Sequence, residues 1–555
     1  MNLVIVETPA QAKTLSSILG NGWRVEPCHG WVRDLTTDRL GVDVKHDFRP
    51  TFVIPPGKGN LVRRLLKAIN MCDAIYAATP PNPSGEAMAW HILSLSPDVG
   101  DKPVYRVTLD ALTPEAVRAA FTAPHPLDMK RVESAVTERI LDRLIGFGVN
   151  VQASKALSGR IALSYDGMVA LRVLAEQPLH ETKTTPHWTG SVAFRIDGES
   201  FTAQVFNTKG SPLRMRSGEQ TGQLEQLLKS AQFWVEQAVR GTKIHPAPAM
   251  LNTVSLIETA NREWGLAPQR TLALITSLYD MGWITHPDGQ PLTDSQAVAQ
   301  AHIQREYGND YLAPDLPVFQ GIAPTDVARL PENLPGDGAA LYGLIWRYFI
   351  AAHMTPAVER VSAARIFAGA SPDKRYPLEL RLQVKRLYFD GWQRVFMGEL
   401  PAGTPAIVPV LKQGQALAAE HVAITPEVIV PRPLTEGGLV AILTGLGLTA
   451  QSAADLIEPL HDFGFITGQG VTLALTDDGR EVTDYLAEVF DALTSTTYVA
   501  RRAADLSLIA SGEVSRLEVL RIFWARFGDT LRPAKSNKPI TTAYKPIILH
   551  RAEEA

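Results

Sequence analysis

The chain has 555 residues, of which 45% are hydrophobic and 20% charged, a composition typical of a globular protein with several domains. The formal net charge of −4 excludes a strongly basic surface, so any nucleic acid would have to bind in a local groove. The two cysteines, Cys28 and Cys72, exclude a disulfide framework and a four-cysteine zinc ribbon.

The N-terminal part of the chain alternates between apolar strands and amphipathic helices. This alternation indicates a parallel sheet with helices packed on it. The pattern predicts strands at residues 3–6, 74–79 and 104–108, and helices at residues 10–19, 85–95 and 113–121.

Helical and strand-like regions follow one another in the rest of the chain, and two strand-rich regions flank a helical insertion. The spacing of apolar residues predicts helices within residues 127–175, 249–281, 339–353 and 434–490. Alternating patterns predict strands within residues 186–206 and 361–408.

The segment at residues 75–92 is the most informative stretch of the sequence. It reads as a strand, a sharp loop and a helix, because Pro80, Pro81 and Pro83 interrupt regular structure before helical spacing begins at Glu86. A loop at the carboxyl end of such a strand is where open α/β sheets place their chemistry. We therefore expect a functional site at this loop.

This segment resembles the metal-binding loop of the Toprim domain in type IA DNA topoisomerases, Ala-Thr-Asp-x-Asp-Arg-Glu-Gly-Glu-x-Ile-Ala-Trp-His. Further stretches resemble the same family in the family's own order, so the chain is identified as a member of it. These stretches lie at residues 4–14, 29–35, 131–146, 246–285, 341–357 and 434–440.

The resemblance implies a multidomain α/β and α fold. A Toprim α/β parallel-sheet domain, helical domains and a β-rich arch would form a type IA topoisomerase-like toroid. The expected N-terminal part is a Toprim-like domain at residues 1–125, in which part of 35–72 could pack with the helical domain. A helical domain is expected in two parts, at 126–185 and 431–500, and a helical domain at 246–358 carries the degenerate tyrosine motif. The β-rich arch is expected in two parts, at 186–245 and 359–430, followed by a C-terminal helical segment with a basic tail at 501–555.

The three acids of the family's metal loop are replaced in this chain. Their positions hold Pro80, Asn82 and Ser84, while Glu7 and Glu86 survive as acids. Two carboxylates alone make a poor magnesium site, because the ion is usually held by nearby carboxylates together with substrate phosphates. The family uses magnesium, but we expect this chain to bind no cofactor.

The nucleophile of the family is also replaced. Its motif Ile-Thr-Tyr-x-Arg-Thr-Asp-Ser corresponds to residues 284–291, which places His286 at the tyrosine and Asp288 at the arginine. Asp288 reverses a charge that would neutralise a DNA phosphate. A histidine nucleophile is conceivable because imidazole forms phosphoramidates, but a remnant in a loop is the simpler interpretation. A displaced tyrosine nucleophile (Tyr279, Tyr307 or Tyr311) carries little weight.

Losses extend to other motifs of the family. Phe319 and Ala323 stand where the family has a histidine and an arginine, and Ala111 stands where it has a glutamate. Tyr165 falls near a phosphate-binding arginine of the family. The basic residues expected to remain as DNA contacts are Lys13, Arg143, Arg172 and Arg270.

Three hypotheses follow from this pattern. The first is a catalytically inactive type IA topoisomerase-like protein that keeps the toroid for binding DNA, single-stranded in particular, or for assembly in a DNA-processing, mobile-element or defence complex. The second is an active topoisomerase with a rebuilt site that cleaves and reseals one DNA strand. The third is an assembly subunit without DNA affinity.

The chain start lacks a signal peptide pattern and no apolar run is long enough for a membrane span, so we expect a cytoplasmic protein with no membrane contact.

Overall fold

The computed structural model describes residues 1–36, 38–96, 102–157, 161–177, 187–288, 295–313, 321–334, 336, 338–398, 409–427, 434–468 and 472–532. Phe319 and the basic tail beyond residue 532 lie outside these residues. Among the described helices, none combines the length and the hydropathy that a membrane crossing needs.

A four-stranded sheet forms the centre of the N-terminal part, and all of its strand pairs are parallel. The first strand supplies Leu3, Val4, Ile5 and Val6, all buried, as expected for a strand covered on both faces. The parallel sheet is therefore confirmed, together with one strand that was not predicted, Trp23–Pro27. In spatial order the strands are Trp23–Pro27, Asn2–Val6, Ile75–Ala77 and Val104–Arg106.

Helices cover this sheet, and two short ladders lie beside it. Pro83 does not interrupt the structure, as the sequence suggested, but starts a helix, because Asn82 caps it by accepting a hydrogen bond from the Gly85 N–H at 2.9 Å. The helices are Pro9–Leu19, Gly59–Met71, Pro83–Leu93 and Pro114–Thr122, and the ladders pair Asp34–Leu35 with Phe52–Val53 and Val42–Asp43 with Arg49–Pro50.

A helical body follows, and its apolar side chains form one continuous core with part of the N-terminal region. Leu35, Val42 and Phe48 belong to this core, whereas Val62 and Leu65 lie in a separate one. The helices are Met129–Ala156, Tyr165–Glu176, Thr253–Trp264, Pro268–Asp280, Ser295–Glu306, Gly338–Ala352, Arg394–Met397, Glu436–Gly445, Ala450–Asp455, Ile457–Asp462, Asp477–Thr494, Thr496–Ser511 and Arg516–Leu531, with a small hairpin of Ile466–Thr467 and Ala474–Leu475.

The strand-rich regions join in one antiparallel eight-stranded sheet with its own core. Strands from before and after the helical insertion pair directly, since Gln232–His245 lies beside Ala357–Ser371. The helix Gly218–Ser230 packs on the sheet at Leu224 and Leu228. The strands are His187–Ile196, Glu199–Asn207, Arg214–Met215, Gln232–His245, Ala357–Ser371, Lys374–Phe389, Ala416–Leu417 and Ala419–Glu427.

Candidate functional site

The loop after the strand Ile75–Ala77 is held in place by side chains that donate hydrogen bonds to its backbone carbonyls. The Thr79 hydroxyl donates to the Gly85 carbonyl at 2.7 Å, and the Arg106 guanidinium donates to the Pro80 carbonyl at 2.6 Å. A Cβ at Gly85 would lie 2.0 Å from the Pro80 carbonyl oxygen, so only glycine fits where the helix start meets the loop. The side chains at positions 80, 82 and 84 are therefore presented from a rigid turn.

Asn82 links this loop to the segment that replaces the tyrosine motif. Its side-chain amide donates to the Asp288 carboxylate at 3.1 Å. Its amide oxygen is already used to cap the helix, so both ends of the side chain are engaged. The structure thus brings together two of the degenerate positions, one from the metal loop and one from the nucleophile loop.

Ser84 and Pro80 supply little that could hold a metal ion. The Trp31 indole N–H lies 3.1 Å from the Ser84 hydroxyl and 3.2 Å from its carbonyl, and donates to them. Pro80 has no side-chain donor atom, and its carbonyl already accepts from Arg106. Each of the three loop positions is therefore either without a ligand atom or committed to a protein contact.

Glu86 is a buried partner of Arg106. Its carboxylate accepts from the Arg106 Nε at 2.9 Å and from the Asp128 backbone N–H at 3.2 Å. Both side chains are almost fully enclosed. Removing one member of such a pair leaves an uncompensated charge in the protein interior. Glu86 is therefore needed as the ion-pair partner of Arg106 and contributes to the fold.

Glu7 lies beside another carboxylate. Burial, and then the neighbouring Asp280, raise the pKa of Glu7 above its usual range. Asp280 in turn accepts from the Thr8 hydroxyl at 2.9 Å, and burial raises its pKa as well. A raised pKa makes a carboxyl a weaker ligand, because a proton then competes more readily with a hard cation.

These residues do not fit a magnesium ion. Magnesium requires oxygen ligands in a near-octahedral arrangement, usually one or two ionised carboxylates with waters and phosphates. Glu86 is ion-paired, Glu7 is shifted towards the neutral form, and positions 80, 82 and 84 offer no carboxylate. Within the described residues, no group of three histidine, cysteine, aspartate or glutamate side chains is arranged to hold a metal.

His286 is a neutral, hydrogen-bonded imidazole. Its Nδ1 accepts from the Asp288 backbone N–H at 3.1 Å, its backbone N–H donates to the Asp110 carbonyl at 2.6 Å, and its ring lies edge-on against Tyr279 at 4.8 Å. Burial lowers the pKa of His286, and Asp288 and Asp110 oppose this in part. With Nδ1 accepting, the proton is on Nε2, so neither nitrogen presents a free lone pair.

The other degenerate positions described by the structure lie around this histidine. Ala111 is buried directly after Asp110, which bonds to His286. Ala323 is also buried and pairs with Thr285, accepting from its N–H at 2.9 Å and donating to its hydroxyl at 3.1 Å. The Tyr279 hydroxyl donates to the Leu109 carbonyl at 2.9 Å, and burial raises the pKa of this phenol above its usual range, which disfavours a nucleophilic phenolate.

A cleft of about 740 Å³ opens beside these residues, between the sheet and the start of the helix Met129–Ala156. Four carboxylates line it, Asp110, Asp128, Asp288 and the ion-paired Glu86, against the two cations Lys130 and Arg131. The cations are partly engaged, since Lys130 donates to the Ser511 carbonyl at 3.2 Å and Arg131 lies 3.7 Å from Asp128. The remaining lining residues are Pro81, Thr108, His125, Pro126, Leu127 and Met129.

The four expected DNA contacts occupy different environments. Lys13 and Arg270 are exposed, on the helices Pro9–Leu19 and Pro268–Asp280, which are joined by the bond from the Thr14 hydroxyl to the Asp280 carbonyl at 2.9 Å. Arg172 pairs with Glu176 at 2.6 Å and Asp491 at 2.9 Å. For Lys13, Arg270 and Arg172, contact with DNA therefore stays a prediction.

Arg143 requires a correction. It is 2% exposed, and its guanidinium donates to the Thr36 and Arg39 carbonyls. In this conformation the side chain is enclosed by protein and cannot touch a phosphate. We therefore leave Arg143 out of the proposed DNA contacts.

Tyr165 is part of a buried network that sequence reasoning missed. Its ring lies under Arg502 at 4.5 Å and its hydroxyl donates to the Leu493 carbonyl at 2.9 Å. Arg502 also contacts three carboxylates, Asp142 at 2.5 Å, Asp166 at 3.4 Å and Glu138 at 3.5 Å. The spacing of Glu138 and Asp142 on one helix face was a signal for such a cluster, but their partner lies 360 residues away from Asp142.

Comparisons with known proteins agree with this architecture. The family model described as DNA topoisomerase matches residues 126–521, and the one described as Toprim domain matches residues 2–112. DNA topoisomerase 1 of Streptomyces coelicolor is 29% identical over 594 residues, covering 95% of this chain and 61% of the relative. DNA topoisomerase 1 of Pasteurella multocida is 28% identical over 595 residues, covering 96% and 67%. The chain thus spans about three fifths of the first relative's length and two thirds of the second's.

A solved structure gives the same result for the fold. Full-length topoisomerase I from Thermotoga maritima superposes with a TM-score of 0.82 at 25% identity, covering 96% of this chain and 90% of that one. This likeness confirms the fold class predicted from the sequence, a Toprim parallel sheet with helical domains and a β-rich arch in a toroid.

Proposed function

Because the chain belongs to the type IA DNA topoisomerase family, we propose that it is a member without strand-cleavage activity that uses the toroidal scaffold to bind single-stranded DNA. Members that cleave DNA need a nucleophile that attacks a phosphodiester, cations that stabilise the phosphate, and a way to reseal the strand. In this proposal the chain lacks the nucleophile, the cations and the means of resealing, and retains the toroidal fold.

The observation that carries the proposal is the bond between Asn82 and Asp288 at 3.1 Å. It joins the loop expected to hold metal acids to the loop expected to hold the nucleophile and its arginine. The groups that meet there are an amide and a carboxylate, and the adjacent His286 has its Nδ1 lone pair engaged. A phosphodiester at this point would meet negative charge and no free nucleophile.

Support for DNA binding comes from the retained fold and from exposed cations on two of its helices. Lys13 and Arg270 project from two adjacent helices. The overall charge of −4 gives no general attraction to DNA, so binding would depend on local contacts and fall with added salt.

The test is titration of the full chain with a fluorescent single-stranded oligonucleotide at several salt concentrations. We expect log K to fall linearly with log salt, with a slope of about −0.7 for each phosphate neutralised. Lys13→Ala with Arg270→Ala removes two such contacts and should reduce the steepness of the salt dependence by about 1.4. Arg262→Ala, which removes an exposed arginine paired at 3.8 Å with Glu263, is the matched control.

Assembly without DNA affinity is the second candidate function. The feature that favours it is the cleft lined by Asp110, Asp128 and Asp288, which would repel a nucleic acid and suit a basic protein segment. No oligonucleotide binding at low salt would support this candidate and overturn the first. Native co-purification would then identify the partner, with a DNA-processing, mobile-element or defence complex as the proposed setting.

A further inference from the structure

A row of polar side chains crosses four strands of the antiparallel sheet. Gln204 lies opposite Arg381, Arg381 lies opposite Arg365, and Arg365 lies opposite Gln237. We call Gln204, Arg381, Arg365 and Gln237 the arginine row. Directly opposed residues in antiparallel strands have Cα atoms about 4.5–5.5 Å apart, so the row is about 15 Å long.

The centre of the row is unfavourable for the fold by itself. Like charges directly opposite each other on a sheet are destabilising, and Arg365 and Arg381 are such a pair. Their side chains are 48% and 42% exposed, so neither is needed to fill the core beneath the sheet. Two arginines in directly opposed register on one sheet face can both reach the same phosphate, which arginine binds bidentately.

Neighbouring glutamates neutralise this surface only in part. Glu379 contacts Arg381 at 2.6 Å, while Glu236 is shared between Arg365 at 3.7 Å and Arg375 at 2.7 Å. Three arginines thus share two glutamates, which leaves net positive charge on the sheet face. The long contact of Arg365 makes it the cation most available to a ligand.

A second row, two residues further along the strands, holds three aromatic residues and one glutamate, and we call it the aromatic row. Phe206 lies opposite Glu379, Glu379 opposite Phe367, and Phe367 opposite Trp234. A bulge between Val235 and Gln237 keeps this row and the arginine row on the same face. Two residues of strand span about 7 Å, so rings and guanidinium groups alternate at a distance close to that between a base and its phosphate.

The rings and arginines are in direct contact. The Arg381 guanidinium lies 4.4 Å from the Phe206 ring centre, Arg375 lies 3.9 Å from that of Phe367, and Trp234 stacks on Phe367 at 5.2 Å. A groove of about 540 Å³ runs over this face, lined among others by Thr202, Gln204, Phe206, Gln237, Arg365 and Arg381. Stacking surfaces, amides and arginines on a flat sheet are the features by which proteins hold unpaired bases and their backbone.

We propose that this sheet face is a binding platform for single-stranded DNA, in which Arg365 and Arg381 hold a phosphate and the adjacent aromatic row contacts bases. The proposal rests on the proposed binding of single-stranded DNA and locates part of it on the arch, away from Asp288 and the degenerate loops. It adds a surface that uses no metal and no nucleophile.

The test compares two variants of the full chain in which one register pair of arginines is replaced. Arg365→Gln with Arg381→Gln removes both charges of the row and keeps long polar side chains. The control is Arg360→Gln with Arg386→Gln, because these arginines are also directly opposed on the same two strands but point to the other face. Binding of a fluorescent oligo-dT is measured by anisotropy at several salt concentrations.

We expect the row variant to bind about tenfold more weakly and to reduce the steepness of the salt dependence by about 0.7, which corresponds to the one phosphate held by the two arginines on a single strand. The control variant should bind within twofold of the unmodified chain. Phe206→Leu, which keeps apolar volume but removes the ring, should weaken binding about fivefold or more while leaving the salt slope unchanged.

The outcomes separate this inference from the proposed function. If the unmodified chain binds oligo-dT and the row variant binds equally well, the platform is overturned while the proposed DNA binding stands. If the unmodified chain binds no DNA, both are overturned. A row-dependent preference for oligo-U over oligo-dT would overturn the assignment to DNA. Far-ultraviolet circular dichroism and thermal unfolding matched to the control variant would establish that the row variant is folded.

Discussion

The side-chain amide of Asn82 donates a hydrogen bond to the carboxylate of Asp288 at 3.1 Å, although 206 residues separate them in sequence. Asn82 stands where the family resemblance implies a metal-binding acid. Asp288 stands where the resemblance implies an arginine, so its charge is reversed. The two replacements form a contact with each other. The replacement in the metal loop and the replacement in the tyrosine-motif loop are therefore coupled through one hydrogen bond.

Breaking this contact should have a small and mutual effect on local stability. Asn82→Ala and Asp288→Ala each remove one partner of the hydrogen bond. The loss of local opening free energy in the double variant should be smaller, by about 1 kcal/mol, than the sum of the losses in the two single variants. Hydrogen exchange of peptides covering residues 80–90 measures the local opening free energy. Costs that add within about 0.3 kcal/mol would show that the contact contributes nothing.

Glu86 should behave as part of the fold and not as a metal ligand. Glu86→Ala leaves Arg106 buried without its anion, so we expect a loss of about 3–5 kcal/mol in the opening free energy of the helix Pro83–Leu93. Glu86→Leu with Arg106→Met should recover part of this loss because both charges are removed. A clear stabilisation of the unmodified chain by millimolar magnesium, absent in Glu86→Ala, would contradict the structural role.

His286 should remain neutral at pH values where a free histidine is protonated. Because burial lowers its pKa in the folded state, the unfolded chain binds this proton more readily, and stability should fall as pH drops below about 6.5. Nitrogen NMR should find the proton on Nε2, since Nδ1 accepts from Asp288.

Asp288→Asn provides the matched control for this titration. It removes a carboxylate that raises the pKa of His286, so the pKa should fall further in the variant. A pKa at or above 6.5 in the unmodified chain, or a rise in the variant, would contradict the neutral imidazole.

Replacing Tyr165 with phenylalanine should destabilise the fold less than replacing it with arginine. Tyr165→Phe removes only the bond to the Leu493 carbonyl and should cost about 1 kcal/mol in hydrogen exchange of the helix Tyr165–Glu176. Tyr165→Arg would bury a second cation beside Arg502 and should cost several times more. Equal costs for the two variants would show that the position is not enclosed as described.

Local patterns in the sequence predicted the elements but not the contacts between them. The parallel sheet could be predicted because Leu3 to Val6 form an apolar run followed by a helix. Pro83 was misjudged because proline interrupts a helix interior but is favoured at a helix start, and only the Asn82 cap distinguishes the two.

The candidate site depended on contacts between distant segments. The burial of Arg143 and the opposition of Arg365 and Arg381 follow from packing and strand register, which no local pattern in the sequence specifies. The resemblance located positions 82 and 288 as degenerate. It did not reveal that the replacements bond to each other.

The most direct test of the proposed loss of strand cleavage is incubation of the full chain with negatively supercoiled DNA and magnesium, followed by denaturant and analysis of topoisomers and of protein-linked DNA. The account predicts no relaxation and no covalent protein–DNA species, with magnesium or manganese, for the unmodified chain and for His286→Ala alike. Relaxation by the unmodified chain that His286→Ala abolishes, or a trapped adduct mapping to His286 or to a tyrosine, would contradict it.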